Sequence, residues 1–213
     1  MTSPSKNRKR LQILASARDL FWKYGFRRVP IEEICRHAGA SKMTFYRFFP
    51  NKIELAKAVF DEETGRGLER FRTILREESS SAEKIRKIFL LKMEGTHNIS
   101  KEFLQDFYGN SEVGLKQYID QKTKESWNEV LSDFRYAQDR GWFRRDLKPE
   151  FLYYFSQKVG DMLTDEKLLS LYPTAQDLIK EVTNFFAYGI SPADQSRTSR
   201  DGEHERTQEP ERP

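Results

Sequence analysis

Cysteine and histidine are scarce in this chain, and it has no glycine-rich phosphate loop. Cys35 is the single cysteine, so the 213 residues cannot form an internal disulfide, which fits a reducing compartment. The three histidines, His37, His97 and His204, lie far apart in the sequence. Because catalytic triads and zinc sites draw heavily on histidine, we expect no enzymatic activity, no metal and no cofactor.

Long apolar stretches are also missing. No run of about 18 uncharged apolar residues occurs, and MTSPSKNRKRL at the N-terminus leads into an amphipathic segment instead of an apolar signal core. Charged residues make up 33% of the chain, but aromatic residues at 13% supply enough anchors for a packed core. We therefore expect a globular cytoplasmic protein with no membrane partner.

Positive charge is concentrated in the first 52 residues. This segment holds twelve Lys or Arg against Asp19, Glu32 and Glu33, a net charge of +9, whereas the remaining residues carry a net charge of −5. A basic segment joined to a mildly acidic body is typical of a nucleic-acid-binding domain attached to another domain. A solvated basic face is the simpler alternative.

Apolar residues recur at helical spacing almost everywhere, which predicts an all-α fold of about nine helices. Gly25 is the expected end of a first helix, and Pro30 fits the first turn of a short second helix that ends at Gly39. Ser41 can cap a third helix, which must stop before the next proline. Asn51 can cap a fourth.

The turn AGAS joins the second and third helices, and two short helices joined in this way within a basic unit predict a helix-turn-helix. Gly39 can adopt the positive φ that such a turn needs. In the third helix, Phe45, Phe48 and Phe49 have the spacing to pack inward. The residues left exposed are Lys42, Met43, Thr44, Tyr46 and Arg47. We expect this exposed set to face the major groove of DNA.

The segment from Ile13 to Leu55 strongly resembles the DNA-binding domain of the TetR family of bacterial transcription regulators. The motifs YGF, AGAS, TFY and KIEL occur in this segment in the family's order and spacing, which is more specific than one short motif. The resemblance implies a helix-turn-helix domain joined to a helical ligand-binding and dimerisation domain. It also implies a ligand-responsive repressor that binds a pseudo-palindromic operator as a homodimer and responds to a largely apolar effector.

The same resemblance implies roles for individual residues. Lys42, Met43 and Thr44 begin the recognition helix, close to base edges or nearby phosphates. The other residues implied to contact DNA, mainly at phosphates, are Tyr46, Arg47, Lys52 and Arg28. Two positions depart from the family pattern: Pro30 replaces a Thr or Ser that caps the second helix, and Cys35 replaces an Ala, which predicts a small buried residue more readily than a redox switch.

The chain is expected to divide into a DNA-binding domain (1–52), a ligand-binding and dimerisation domain (53–190) and a disordered polar tail (191–213). By analogy with the family, the segments 150–163 and 174–188 are candidates for a dimer bundle. Their candidate interface residues are Phe151, Phe155, Met162, Leu178, Val182 and Phe185. The candidates for an effector pocket are Met93, Phe107, Trp127 and Phe134. All of these residues can equally belong to the intramolecular core.

Gly65 and Gly67 form a weak point in the fourth helix, since each costs about 1 kcal/mol relative to Ala. We expect an effector to act by shifting this helix. The main alternative to a repressor is a TetR-like protein adaptor that has lost specific DNA binding. The net charge of +9 in residues 1–52 and the presence of Thr44, Tyr46 and Lys52 argue against the adaptor.

Overall fold

The computed structural model describes residues 4–109 and 113–192, which fold entirely as helices. The helices are α1 (Pro4–Tyr24), α2 (Ile31–His37), α3 (Lys42–Phe48), α4 (Lys52–Arg76), α5 (Ser81–Gly95), α6 (Lys101–Leu104), α7 (Val113–Asp139), α8 (Pro149–Thr164), α9 (Glu166–Ser170) and α10 (Ala175–Ile190). A π-helical turn (Gln105–Gly109) continues α6. The predicted all-α class is confirmed. Nearly all of the tail predicted to be disordered lies outside the described residues.

Local side-chain caps explain where several helices begin. Ser41 Oγ accepts a hydrogen bond from the backbone N–H of Thr44 at the start of α3, and Asn51 accepts one from Glu54 at the start of α4. Thr174 and Asp177 form a reciprocal capping box at the start of α10. Pro30 lies one position before α2 with no capping side chain, so α2 begins at Ile31 and the prediction that Pro30 belongs to its first turn was wrong by one residue.

The helix count differs from the prediction because of α9. The five residues of α9 form little more than one turn, which is too short for apolar periodicity to reveal. The segment KEFLQDFYG is divided between α6 and the π-helical turn. π-helical turns such as this one occur frequently at functional sites.

One hydrophobic core runs from the helix-turn-helix into the body of the protein. Phe21, Phe45 and Leu55 belong to the same buried cluster as Phe107 and Leu178. Because α4 crosses the predicted boundary at residue 52 and its first turns pack into this cluster, no break in packing marks that boundary. The division into domains at residue 52 stays a prediction.

A second cluster lies between the end of α4, α7, α8 and α10, around Phe134 and Phe143. Beside it, α5 is joined to the end of α4 by a buried lysine. Lys84 Nζ donates to the carbonyl oxygens of Ile74 at 3.0 Å and Leu75 at 3.1 Å, and to that of Glu77. These carbonyls have no helical partners at the end of α4, so the buried ammonium satisfies them and is satisfied in turn. Desolvation nevertheless lowers the pKa of Lys84.

Candidate DNA-binding surface and effector cavity

The outer face of α3 carries the residues predicted to contact DNA. Phe45 and Phe49 are buried beneath it, whereas the side chain of Phe48 is only half-buried. Exposed side chains on this face come from Lys42, Met43, Tyr46 and Arg47. Met43 is 82% exposed, which is unusual for an apolar residue on a rigid helix and leaves it available to another surface.

The turn before α3 is held by backbone geometry and by a lysine from α1. Gly39 adopts φ +57, as predicted for this turn. Lys9 Nζ donates to the carbonyl oxygen of Gly39 at 3.1 Å and to that of Ala38 at 3.4 Å. Thr44 is half-buried, and its hydroxyl lies 3.0 Å from Ser41 Oγ. The sequence gives no sign that Lys9 ties α1 to the turn, because the two are 30 residues apart.

Lys42 forms an ion pair with Glu32 of α2. The pKa of Lys42 is raised, mainly by its hydrogen bond to Glu32, and the pKa of Glu32 is lowered mainly by the same bond. Both side chains are more than half exposed, so water screens the attraction between them. The pair orients Lys42 without burying it, and an approaching acceptor on DNA can replace the carboxylate.

Lys52 does not point outward as predicted. Its ammonium donates to the carbonyl oxygens of Phe26 at 2.9 Å, Val29 at 3.1 Å and Arg27 at 3.3 Å, all in the loop between α1 and α2. It also lies 4.5 Å from the centre of the Phe26 ring. Loop carbonyls lack helical partners and compete well for a nearby ammonium. In this structure Lys52 therefore joins the start of α4 to that loop instead of presenting its charge to a phosphate.

We call residues 4–52, which contain the helix-turn-helix, the head. The other head residues singled out from the sequence have the exposure expected of them. Arg28 is exposed, and Arg47 places its guanidinium 5.2 Å from the centre of the Phe48 ring. Cys35 is buried, and desolvation is the main cause that raises the pKa of its thiol. A buried neutral thiol fits the predicted packing role of Cys35 and not a redox switch.

A cavity of about 430 Å³ lies between α1, α4, α5, α6 and the π-helical turn. Its volume is in the range of small-molecule sites, about 300–1,000 Å³. The apolar side chains lining it include Trp22, Phe60, Ile88, Leu91, Ile99, Phe103 and Phe107. The charged side chains and the phenol lining it are those of Arg18, Glu63, Arg66, Arg70, Lys92, Glu94 and Tyr108.

One of the four predicted pocket residues, Phe107, lies at this cavity. Met93 packs against the edge of the main core instead. Trp127 and Phe134 belong to the second cluster, where Phe134 lies 4.7 Å from Phe143 between ring centres. The prediction was wrong for Met93, which does not line this cavity, and for Trp127 and Phe134, because the aromatic stripe of α7 faces α8 and the turn after α7. Helical periodicity identifies a buried face but not the neighbour that covers it.

The wall of the cavity is bonded directly to the helix-turn-helix unit. Trp22 of α1 donates from Nε1 to the carbonyl oxygen of Gly95 at 3.0 Å and accepts at its own carbonyl from the N–H of Ser100 at 2.8 Å. Asp106 of the π-helical turn accepts a hydrogen bond from the backbone N–H of Arg27 at 2.9 Å. Trp22 and neighbours of Asp106 also line the cavity, so a ligand there would touch residues that position the head.

Aromatic residues on α8 and α10 form an exposed face. Phe155 packs 6.1 Å from Phe185 and 6.3 Å from Phe186 between ring centres, which joins the two helices. Four large side chains around this contact remain 56–82% exposed: Phe151, Tyr154, Phe185 and Tyr188. Met162 is 41% exposed and Val182 is half-buried. Leu178 is 1% exposed and packs in the main core, so its predicted place in an interface was wrong.

The helix-turn-helix described above coincides with a known domain. The family described as bacterial regulatory proteins, tetR family, matches residues 13–59. Residues 13–59 are therefore similar to the domain that defines this family. The matched residues include the turn, the whole of α3 and the first turns of α4.

Proteins similar to this chain are known from sequence and structure. The fatty acid metabolism regulator protein of Bacillus subtilis (strain 168) is 29% identical over 99 residues, which are 45% of this chain and half (50%) of that relative. The fatty acid degradation regulator FadR from Bacillus halodurans has a TM-score of 0.64 at 19% identity, over 89% of this chain and 97% of that one. FadR from Bacillus subtilis in complex with stearoyl-CoA has a TM-score of 0.58 at 22% identity, over 84% and 98%.

The structural likenesses establish a shared fold, and all three proteins named are described as regulators. None of the helices formed by the described residues combines the length and apolarity that a membrane crossing requires. Within the same residues, no group of three or more His, Cys, Asp or Glu side chains could hold a metal ion.

Proposed function

We propose that this protein is a ligand-responsive repressor of the TetR family that binds a pseudo-palindromic DNA operator as a homodimer. The observation that carries the proposal is the outward face of α3, where polar and basic side chains project from a rigid, capped helix in a segment of net charge +9. A helix of this kind fits the DNA major groove, and the surrounding positive charge supplies affinity for phosphates.

Within this proposal, the residues of α3 divide into base readers and phosphate contacts. Lys42 reaches guanine O6 and N7 after leaving Glu32, and Met43 packs against a thymine methyl group. Thr44, beside them, approaches the backbone or a base edge. The phosphate contacts are Tyr46, Arg47 and Arg28. Lys52 acts indirectly, by holding the loop that precedes α2.

The proposed dimer forms through the exposed aromatic face of α8 and α10. Soluble monomers rarely expose several large apolar side chains side by side, and such a patch marks an interaction site. The dimer presents two α3 helices to successive major grooves, about 34–36 Å apart or a small multiple of that distance. A single α3 reads too few base pairs to find one site in a genome.

The proposed effector site is the cavity beside the head, and its mostly apolar wall suits a ligand with an aliphatic chain. The B. subtilis FadR that shares this fold was solved with stearoyl-CoA, which supports a ligand of this class. An effector between α5 and the π-helical turn would displace Trp22 or the backbone around Asp106, which both touch the head. We expect this coupling to lower operator affinity by about 1–3 kcal/mol.

The test uses operator DNA selected from a random pool and a scrambled duplex of the same length. Lys42→Ala should weaken binding to the selected DNA by about 1–3 kcal/mol and relax preference at one position in each half-site, with a smaller loss on scrambled DNA. Lys124→Ala is the matched control, because it removes one charge from an exposed position on α7. Glu32→Gln should strengthen binding to both duplexes, since it removes a negative charge from the DNA-facing surface.

Two results would contradict the proposal. A selection that yields no preferred sequence would favour the protein-adaptor alternative. Equal losses for Lys42→Ala on selected and scrambled DNA would show that Lys42 only contributes to a basic surface. The oligomeric state is tested separately with Tyr188→Glu, which should convert a dimer into a monomer by sedimentation and abolish operator binding together with dimerisation.

A further inference from the structure

Two neighbouring basic residues of α1 contact the chain at the two ends of α3. Lys9 Nζ donates to the carbonyl oxygen of Gly39, at 3.1 Å, in the turn that precedes α3. Arg10 places its guanidinium 5.5 Å from the centre of the ring of Phe49, the residue that follows α3. Lys9 and Arg10 are both half-buried. The start of α1 therefore touches the chain on both sides of the helix proposed to read DNA.

The carbonyl oxygens that Lys9 contacts lie at the C-terminal end of α2. Ala38 is the C-cap of α2, and its carbonyl accepts a second hydrogen bond from Lys9, at 3.4 Å. The last carbonyls of a helix lack helical partners, and the helix dipole favours a cation beside them. The bond to Gly39 also holds the peptide that leads to Ser41, which caps α3 only two residues later.

We infer that Lys9 is a positioning residue for DNA recognition, which orients α3 through the turn without contacting a phosphate itself. By charge alone Lys9 counts toward the net +9 of residues 1–52. Its ammonium would have to leave two carbonyl oxygens to reach a phosphate. Base readout requires side chains held within about 0.5 Å of their place, whereas attraction to phosphates tolerates a tilt of the helix. The inference rests on the proposed function in one respect: it takes α3 to be the helix that reads bases.

The test compares Lys9→Met with Arg8→Met on the selected operator and the scrambled duplex over a range of salt concentrations. Lys9→Met keeps the unbranched apolar stem and removes both hydrogen bonds. It should weaken operator binding about tenfold and scrambled-duplex binding by less than about threefold. The slope of log affinity against log salt should stay within about 0.3 of the native value, because no phosphate contact is lost. Arg8→Met is the matched control: it removes one charge from the exposed position next to Lys9 and should weaken both duplexes by the same factor.

The ratio of operator affinity to scrambled-duplex affinity separates positioning from a general role in folding. Loss of folded protein would reduce binding to both duplexes equally and leave this ratio unchanged. Lys9→Arg retains a cation with several donors and should restore most of the ratio. Arg10→Met should lower the ratio in the same direction but only about threefold, because a single contact with the Phe49 ring is lost. A selection repeated with Lys9→Met should yield a broader base preference than the native protein does.

The outcomes distinguish this inference from the proposed function. If Lys9→Met weakens both duplexes by the same factor and its salt slope falls by about 0.9, Lys9 is a phosphate contact and the inference fails alone. If neither affinity changes, the bonds from Lys9 to the turn do not orient α3, and the inference again fails while the proposed function stands. If the native protein selects no preferred sequence, the proposed function fails and the inference fails with it, a result that is visible before any variant is compared.

Discussion

The face of α3 and the cavity are built in opposite ways. Apart from Arg28, the residues proposed to contact DNA belong to one helix of seven residues, and the cap and glycine that orient it directly precede it in the chain. The cavity draws its lining from Arg18 at one end of the sequence range to Tyr108 at the other, across five helical segments. A surface made from neighbouring residues can be recognised from a motif, whereas a cavity exists only once distant segments have packed.

Each region also uses two lysines for two purposes. In the head, Lys52 bonds to loop carbonyls while Lys42 remains exposed beside Glu32. In the body, Lys84 bonds to the last carbonyls of α4 while Lys92 lines the cavity without a partner among the described residues. In both regions one lysine bonds to backbone carbonyls and the other stays exposed, and the sequence around them does not distinguish the two positions.

The largest expected effect on stability comes from comparing two glycines. Gly25 lies where the head meets the body of the protein, and Gly39 lies in the turn within the head. Gly25 has φ +82, and a β-carbon there would lie 2.7 Å from Asp106 Oδ2, whereas Gly39 has φ +57 with open space around it. Gly25→Ala should lower the free energy of unfolding by about 3 kcal/mol, from backbone strain and displacement of Asp106. Gly39→Ala carries only the strain, about 1–2 kcal/mol. Equal losses of stability in urea unfolding would mean that Asp106 moves away from the added methyl group at little cost.

The next comparison is between two lysines of the head: Lys52, which bonds to loop carbonyls, and Lys42, which we propose contacts a base. Lys52→Met removes three hydrogen bonds from a half-buried ammonium and should lower the free energy of unfolding by about 1–2 kcal/mol. Lys42→Met should change it by less than about 0.5 kcal/mol, because Lys42 is exposed. Urea unfolding measures both. A stable Lys52→Met protein whose DNA affinity depends less steeply on salt would instead restore the phosphate contact for Lys52.

α4 joins the two regions, and its glycines allow a test with a gain in stability. A β-carbon at Gly65 or Gly67 would meet no atom within 4 Å. Replacing both by Ala should therefore raise the free energy of unfolding by about 1–2 kcal/mol, which corresponds to a rise of roughly 4 °C in Tm. If the effector acts by shifting α4, the same variant should show weaker release of DNA. Unchanged release in a stabilised protein would place the coupling in the π-helical turn instead.

The smallest effect concerns a pair remote from both sites and serves as a reference for surface charges. Hydrogen bonds from Arg144 are the main cause that lowers the pKa of Asp146 from 3.8 to about 2. Because the folded pKa is the lower one, the pair stabilises the fold above pH 3.8, and this contribution disappears as the pH falls toward about 2. Carbon NMR should place the titration of the carboxyl near pH 2, and Arg144→Gln should return it toward 3.8.

The sequence by itself determined the local parts of this protein. Helix starts at Ser41, Asn51 and Thr174 follow from side chains that bond to amides three residues away, and Gly39 follows from the φ that the turn requires. The exposed face of α3 follows from the spacing of its phenylalanines. These features depend on contacts within a few residues, so composition and spacing are sufficient to predict them.

The tertiary structure decided which faces meet. Trp127 and Phe107 are equally plausible pocket residues in the sequence, yet packing directs one toward Tyr153 and the other to the cavity. Packing likewise turned Lys52 toward the loop after α1 and left Lys92 without a partner among the described residues. A helical pattern defines a direction around one axis, while the neighbour in that direction depends on the relative positions of helices far apart in the chain. Whether a lysine bonds to backbone carbonyls, as Lys52 does, or stays exposed, as Lys92 does, is decided only when the helices pack.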